Sequence, residues 1–378
     1  MNTKKFGILA SVVDELAAGR DDVARRLLAH LLEECGADAT GEDLQYYIFA
    51  SALAKRVAWD RHEEINLYLR QFGESQISLF NLVAQHLPTV ALAGQVGNEV
   101  LAGFLADQEV VTLLDIGIGS GRQEVALLEL LAARGQLPRM LYVVAVEPDA
   151  GSLIQAGCDL AVAADALGVA LDFNPVHKLV EDLDGEDWAW FASFPGPIVV
   201  NAAFALHHVR NTDADRCRDE VFHRLRAVGA EAVVLCEPSS DHFTESLRER
   251  FANCWHHFGT TFRLIDSLGV TAEEAGAMKM FFAREIEDIL ASSEEHRFER
   301  HEPYATWMAR MADAGFAPAA DLPDAFADAA GPVRVAAREG YVGLDYQDET
   351  LVAILCATAS VPAGTGVEVV ESIFAEAV

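Results

Sequence analysis

The stretch VVTLLDIGIGSGRQEVALLELLAARG, residues 110–135, decides the fold. Its first half is an apolar run through Leu113 and Leu114 into Asp115, the pattern of a strand buried on both faces. Gly117, Gly119 and Gly121 follow at alternate positions, and a helical pattern then runs to Gly135. Glycines at such a junction let the chain turn sharply and come close to a ligand. The free N–H groups at the start of the next helix suit a carboxylate or a phosphate. Strand, glycine loop and helix in that order point to a nucleotide-like ligand. The spacing narrows the class further. Dinucleotide enzymes use G-x-G-x-x-G, whose third glycine falls at position 122, and this chain has Arg122 there. A nicotinamide-dependent oxidoreductase is therefore disfavoured.

The same texture repeats outward from this unit. Short apolar runs at residues 142–146, 169–173, 198–204 and 232–236 alternate with amphipathic segments of helical length, which predicts βα units around a parallel sheet. Between the second and third strands, Leu153, Ile154, Gly157, Leu160, Ala161, Ala164 and Leu167 fall on one helical face, and Gly168 stands where a helix ends in a left-handed residue. Upstream, spacing such as Leu27, Leu28, Leu31 and Leu32 predicts an all-helical cap over residues 1–106. Residues 107–378 then form the core, with a helical insertion at about 243–315 that contributes to the cap. A loop rich in Ala, Pro and Asp comes next, and residues 341–344 and 350–357 around DYQDE read as a closing β-hairpin.

Composition bounds the function. The 378 residues are 51% hydrophobic, enough for a large core. A net charge of −31 repels phosphate backbones and anionic lipid surfaces, so neither nucleic acid nor membrane is expected as a partner. The six cysteines show no CxxC spacing and read as reduced thiols in a cytoplasmic protein. No apolar run reaches membrane-spanning length, and Asp14 and Glu15 interrupt the short apolar start that a signal peptide needs.

The G-x-G-x-G loop after a strand-terminal acid resembles the first motif of the class I S-adenosylmethionine (SAM) dependent methyltransferases. That resemblance implies a loop around the methionine moiety, with Asp115 near its ammonium group. Glu147 ends the run YVVAVEPD 26 residues after Gly121, where one carboxylate can accept from both ribose hydroxyls. In HKLVEDL, Glu181 and Asp182 follow the third strand; the resemblance implies an acid facing the adenine amino group, and Asp182 is favoured. PIVVNAAFALHHVR brings Asn201, Phe204, His207 and His208 to the carboxyl end of the fourth strand, and Asn201 is counted with the SAM-binding set. Methyl transfer is an in-line displacement that needs alignment and, for a protonated acceptor, a base. His208 is the first candidate for that base, with His207 and Glu237 beside it; the alternative for each His is packing under the loop. Asn98, His242, His256 and Arg263 are candidates for the acceptor pocket. Adjacent histidines on a helix face different ways and no ligand spacing is recognised, so no metal is assigned.

Several further segments, in order, are similar to the GRAS family, of which the chain is identified as a bacterial member. LLDIGIGSGRQEVALL resembles the family's VHIID-type segment, and PVHKLVEDLDGEDW with PIVVNAAFALHHV resembles the stretch that follows it. FFAREIEDIL resembles the Arg-Glu-centred motif, ERHEPYATWMARMADAGF the pattern before the C-terminal strands, and QVGNEVLAGF around Asn98 the helix before the core. The resemblance implies an α/β fold with a Rossmann-like class I methyltransferase sheet, mostly parallel with an antiparallel C-terminal strand, under an α-helical cap. For bacterial relatives it implies methylation of an O or N of a small molecule, with SAM as cofactor and S-adenosylhomocysteine as product. The alternative is a non-catalytic interaction protein that retains SAM as a structural or sensing ligand, as plant members act mainly as transcriptional regulators. Retention of the three glycines and Glu147 weighs toward an enzyme. Arg284, Glu285, Arg300, His301 and Glu302 are expected in an ion-pair network joining cap to core, and an exposed cap leaves room for a homodimer.

Overall fold

In the computed structural model, which describes residues 2–58, 82–209, 217–319 and 331–360 with Leu322 and Phe326, the sheet grows outward from β1 (Val110–Ile116). Val111 and Leu113 point into one apolar layer and Leu114 and Ile116 into the other, so both faces are buried, as the unbroken apolar run requires. On one side β1 pairs in parallel with β2 (Met140–Val146), which pairs with β3 (Ala170–Val176). On its other side stand β4 (Ile198–Ala203) and β5 (Ala230–Pro238), again parallel. The order β3-β2-β1-β4-β5 reverses direction between β1 and β4, and the crevice outside the carboxyl ends of the strands at such a reversal is where open α/β sheets take ligands.

The helices, in chain order, are α1 (Thr3–Ala17), α2 (Asp21–Cys35), α3 (Gly41–Ala58), α4 (Pro88–Leu105), α5 (Arg122–Arg134), α6 (Ala150–Leu167), α7 (Gly185–Phe191), α8 (Cys217–Ala227), α9 (Leu247–Ser267), α10 (Ala272–Ala291) and α11 (Tyr304–Asp313). Helix α6 ends on Gly168 at φ 74°, as its sequence predicts. Its buried face is Leu153, Ala156, Leu160 and Ala164, whereas Ile154, placed on that face by spacing, is 69% exposed. The N-terminal helices share one core with the sheet. Trp255 of α9 sits among Phe6, Tyr46 and Phe49, which is core packing and not a ligand wall. Lys55 of α3 pairs with Glu287 of α10 at 2.6 Å.

The antiparallel part contains the expected hairpin at residues 341–344 and 350–357 and extends beyond it by two further strands. β9 (Glu349–Ala359) lies against β5, β8 (Tyr341–Tyr346) against β9, and β7 (Arg334–Arg338) against β8. A short β6 (Phe316–Pro318) pairs with the far end of β9. The β8–β9 turn places Gln347 and Asp348 at φ 50° and 65°, the conformation of a two-residue turn whose twist matches the strands it joins. Strands β6 and β7 flank the Ala-, Pro- and Asp-rich stretch read as loop, much of which lies outside the described residues. Among the described residues no helix is long and apolar enough to cross a membrane, and all six cysteines are free thiols.

Candidate functional site

The glycine loop forms the turn between β1 and α5. Gly117, Gly119 and Gly121 all take left-handed backbone, at φ 81°, 54° and 74°. At Gly117 a Cβ would fall 2.6 Å from the Cβ of Ala205, so the β4 loop rests directly on it. A Cβ at Gly119 would meet nothing within 4 Å, which leaves open space over the middle of the loop. Glu147, at the end of β2, is buried and holds the loop: its Oε2 accepts from Gly119 N–H at 3.0 Å and its Oε1 from Asp149 N–H at 2.8 Å. A cavity of about 210 Å³ opens here, walled by Gly117, Glu147, Lys178, Glu181, Ala205 and His208 among others. Of the two acids after β3, it is Glu181 that reaches this wall, while Asp182 is exposed in a short 3-10 turn.

Asp115 and Asn201 lie deeper. Asn201 Nδ2 donates to Asp115 Oδ2 at 2.7 Å and to Glu124 Oε1 at 3.2 Å, and all three residues are buried. Burial pushes Asp115 up to about 6 and Glu124 well above the usual carboxylate range, with the neighbouring Asp115 charge adding to the second shift. The cluster therefore anchors the root of the loop, with Asp115 Oδ2 engaged by Asn201. Asn98 is similar: its Nδ2 donates to Gln123 O at 2.9 Å and braces the start of α5.

Next to the first cavity is a second of about 240 Å³, mostly apolar, formed by Phe204, Phe258, Phe281, Phe282 and neighbours from the helices. Phe204 and His208 line both cavities and separate them. His208 Nδ1 lies 3.0 Å from Glu299 Oε1. Partial burial lowers the ring's affinity for a proton, but the hydrogen bond and charge of Glu299, with Glu285 and Glu237 behind it, outweigh that and push His208 up to about 9. The Glu299 pair thus favours the protonated ring, whereas the base expected at His208 needs the neutral one. His207 is buried, with Nδ1 2.6 Å from Glu237 Oε2; burial lowers its pKa well below the usual value, and burial pushes Glu237 up to about 7 against the opposing Leu206 N–H.

Three acceptor-pocket candidates lie elsewhere. His256 points outward and pairs with Glu349 at 2.7 Å, and Arg263 donates to Gln347 at 2.9 Å, both at the β8–β9 turn. His257, one residue along α9 and so about 100° round the helix, faces the second cavity instead. His242 is fully buried, bonded to Ser240 Oγ at 3.0 Å and stacked on Phe258. Glu299, which opens the segment ERHEPYATWMARMADAGF but is not among the expected site residues, meets both His208 and His301. Of the expected charged network, Glu302 pairs with Arg310 at 2.6 Å and Arg218 at 3.3 Å, and Arg300 with Glu294 at 3.3 Å.

Comparison with known proteins corrects the functional expectation. The chain is 29% identical over 319 residues to the Protein DWARF AND LOW-TILLERING of Oryza sativa subsp. japonica, covering 81% of this chain and 51% of that one. It is 25% identical over 256 residues to the Scarecrow-like transcription factor PAT1 of Arabidopsis thaliana, covering 64% and 51%. The chain thus spans about half the length of these curated relatives. Neither bears an enzyme's name and one is named a transcription factor, which overturns the expectation of a small-molecule methyltransferase and of a methyl acceptor as its partner. The crystal structure of SCL7 from Oryza sativa superposes with a TM-score of 0.76 at 20% identity, over 93% of this chain and 99% of that one, so the fold is shared. The GRAS domain family model matches residues 7–356, and the chain belongs to the GRAS family.

Proposed function

We propose that this chain is a non-catalytic regulatory protein whose Rossmann-like sheet holds SAM as a sensed ligand and whose helical layer carries the response to a protein partner. The residues fit the cofactor. Glu147 is an ionisable carboxylate with room for about four donors and spends two acceptances on backbone N–H groups. Open space stands over Gly119 at the start of α5, where N–H groups favour a carboxylate. SAM carries that carboxylate and a ribose diol. The observation that carries the sensing reading is the shared wall. His208 and Phe204 border both cavities, and His208 is tied to Glu299 from the helical side. A cavity of about 210 Å³ is smaller than the roughly 300–1,000 Å³ usual for drug-sized ligands. Entry of SAM therefore pushes on that wall, and the push reaches Glu299.

Calorimetric titration with SAM and with S-adenosylhomocysteine tests the reading. Both ligands bind the wild-type chain, and Glu147→Ala and Gly117→Ala each weaken binding by about tenfold or more, at least 1.4 kcal/mol. SAM recovered after incubation is unchanged. Absence of binding, or equal binding by both variants, contradicts the reading, as does steady conversion of SAM to S-adenosylhomocysteine.

A further inference from the structure

The connection between α10 and α11 brings Glu299 and His301 against His207 of the sheet. We infer that His207 Nε2, Glu299 Oε2 and His301 Nε2 form a divalent transition-metal site, zinc by ligand type, that pins the helical layer to the sheet. The three ligand atoms lie within 4.8 Å of one another. Tetrahedral zinc with bonds of about 2.1 Å sets its ligands roughly 3.4 Å apart. His301 Nε2 stands 3.5 Å from Glu299 Oε2 and His207 Nε2 stands 3.9 Å from it, so the carboxylate is nearly in place and the two imidazoles, within 4.8 Å, draw together by about 1 Å to complete the set.

Orphaned polar atoms point the same way. His301 is fully buried, yet among the described residues neither ring nitrogen makes a hydrogen bond, and Glu299 Oε2, facing His301 Nε2 at 3.5 Å, makes none although its Oε1 is engaged by His208. Buried polar atoms left unpaired are uncommon in a folded chain, and one cation answers His301 Nε2 and Glu299 Oε2 together. His207 is already oriented as a ligand. Glu237 accepts from Leu206 N–H at 2.8 Å and lies 2.6 Å from His207 Nδ1, which places the ring proton on Nδ1 and leaves the Nε2 lone pair facing Glu299. A carboxylate behind a ligating histidine is the usual way to fix its tautomer and orientation. Glu285, whose Oε2 is 3.6 Å from His301 Nε2, adds acidic surroundings. The fourth position opens toward the second cavity, which His207 and Glu285 line, and water can fill it. No linear spacing announces the set, because His207 and His301 are brought together only by the fold.

This inference does not depend on SAM binding. The test is to strip the full chain with chelator, confirm its fold by circular dichroism, and titrate it with Zn²⁺. One equivalent binds; His301→Ala and His207→Ala weaken it by at least about a hundredfold, Glu237→Gln by about 10–100-fold, and His256→Ala leaves it unchanged. Should His207→Ala fail to fold, X-ray absorption of the zinc-loaded wild type counts two imidazoles and one carboxylate at the metal. No binding by the folded stripped protein, as when a water alone bridges the three groups, overturns the proposal. So does zinc retained equally in His301→Ala, or a ligand shell without two imidazoles.

Discussion

His208 is the residue on which the functional reading turns. It stands at the carboxyl end of β4, where a catalytic base is expected, and the Glu299 carboxylate 3.0 Å away favours the cationic form of the ring. Its titration carries a stability signature. The ring's pKa rises from 6.5 in the unfolded chain to about 9 in the fold, so the pair's contribution is fully present below pH 6.5 and is lost as pH climbs through 9. Replacing Glu299 with Gln removes that contribution. Because the His208 side chain is 52% exposed, solvent screening limits the effect to about 1 kcal/mol. Denaturant melts of wild type and Glu299→Gln differ most near pH 6 and converge above about pH 9. A difference that grows with pH would show that the ring is neutral in the fold.

At the scale of elements, the connection from α10 to α11 does the joining. Glu294 meets Arg250, Arg297 and Arg300, and Glu302 meets Arg310 and Arg218, so both ends of this irregular segment are fixed by charge. Arg218 also donates to the carbonyls of Val209, Arg300 and His207, and Arg310 keeps Asp219. Replacing Glu302 with Ala removes a buried carboxylate from both Arg218 and Arg310, and breaking a buried pair in this way costs about 3–5 kcal/mol. The remaining carbonyl bonds set the expectation at the lower end, about 3 kcal/mol, read as a shift in the denaturant midpoint. A shift below about 0.5 kcal/mol would mean that Glu302 is merely accommodated there. The helices on either side of this connection were legible from spacing, but its pairing was not. The β1 strand, the glycine loop and the α5 helix are visible in sequence because apolar period and left-handed glycines are local signals. The His208–Glu299 pair joins residues from distant segments, and nothing in either segment names the other. That His257 and not the expected His256 faces the cavity depends on the phase of α9, which the aromatic cluster around Trp255 sets through packing with α1 and α3. Strand β7 went unread because Arg334–Arg338 carries an Ala- and Arg-rich pattern that earns its strand conformation only by pairing with β8.

For the whole molecule, the sheet supplies a glycine loop with a buried acid, and the helical layer closes over the carboxyl edge of β4 and β5. The two layers meet at the wall between the cavities, with Phe204 held at φ 55° and His208 beside it. In the function proposed above, a ligand on one side of this wall is felt on the other. Hydrogen exchange followed by mass spectrometry, with and without SAM, tests this most directly. The account predicts slowed exchange in the loop at residues 117–121 together with a change in residues 292–303, both absent in Glu147→Ala. Protection confined to the loop, or no change anywhere, would contradict it.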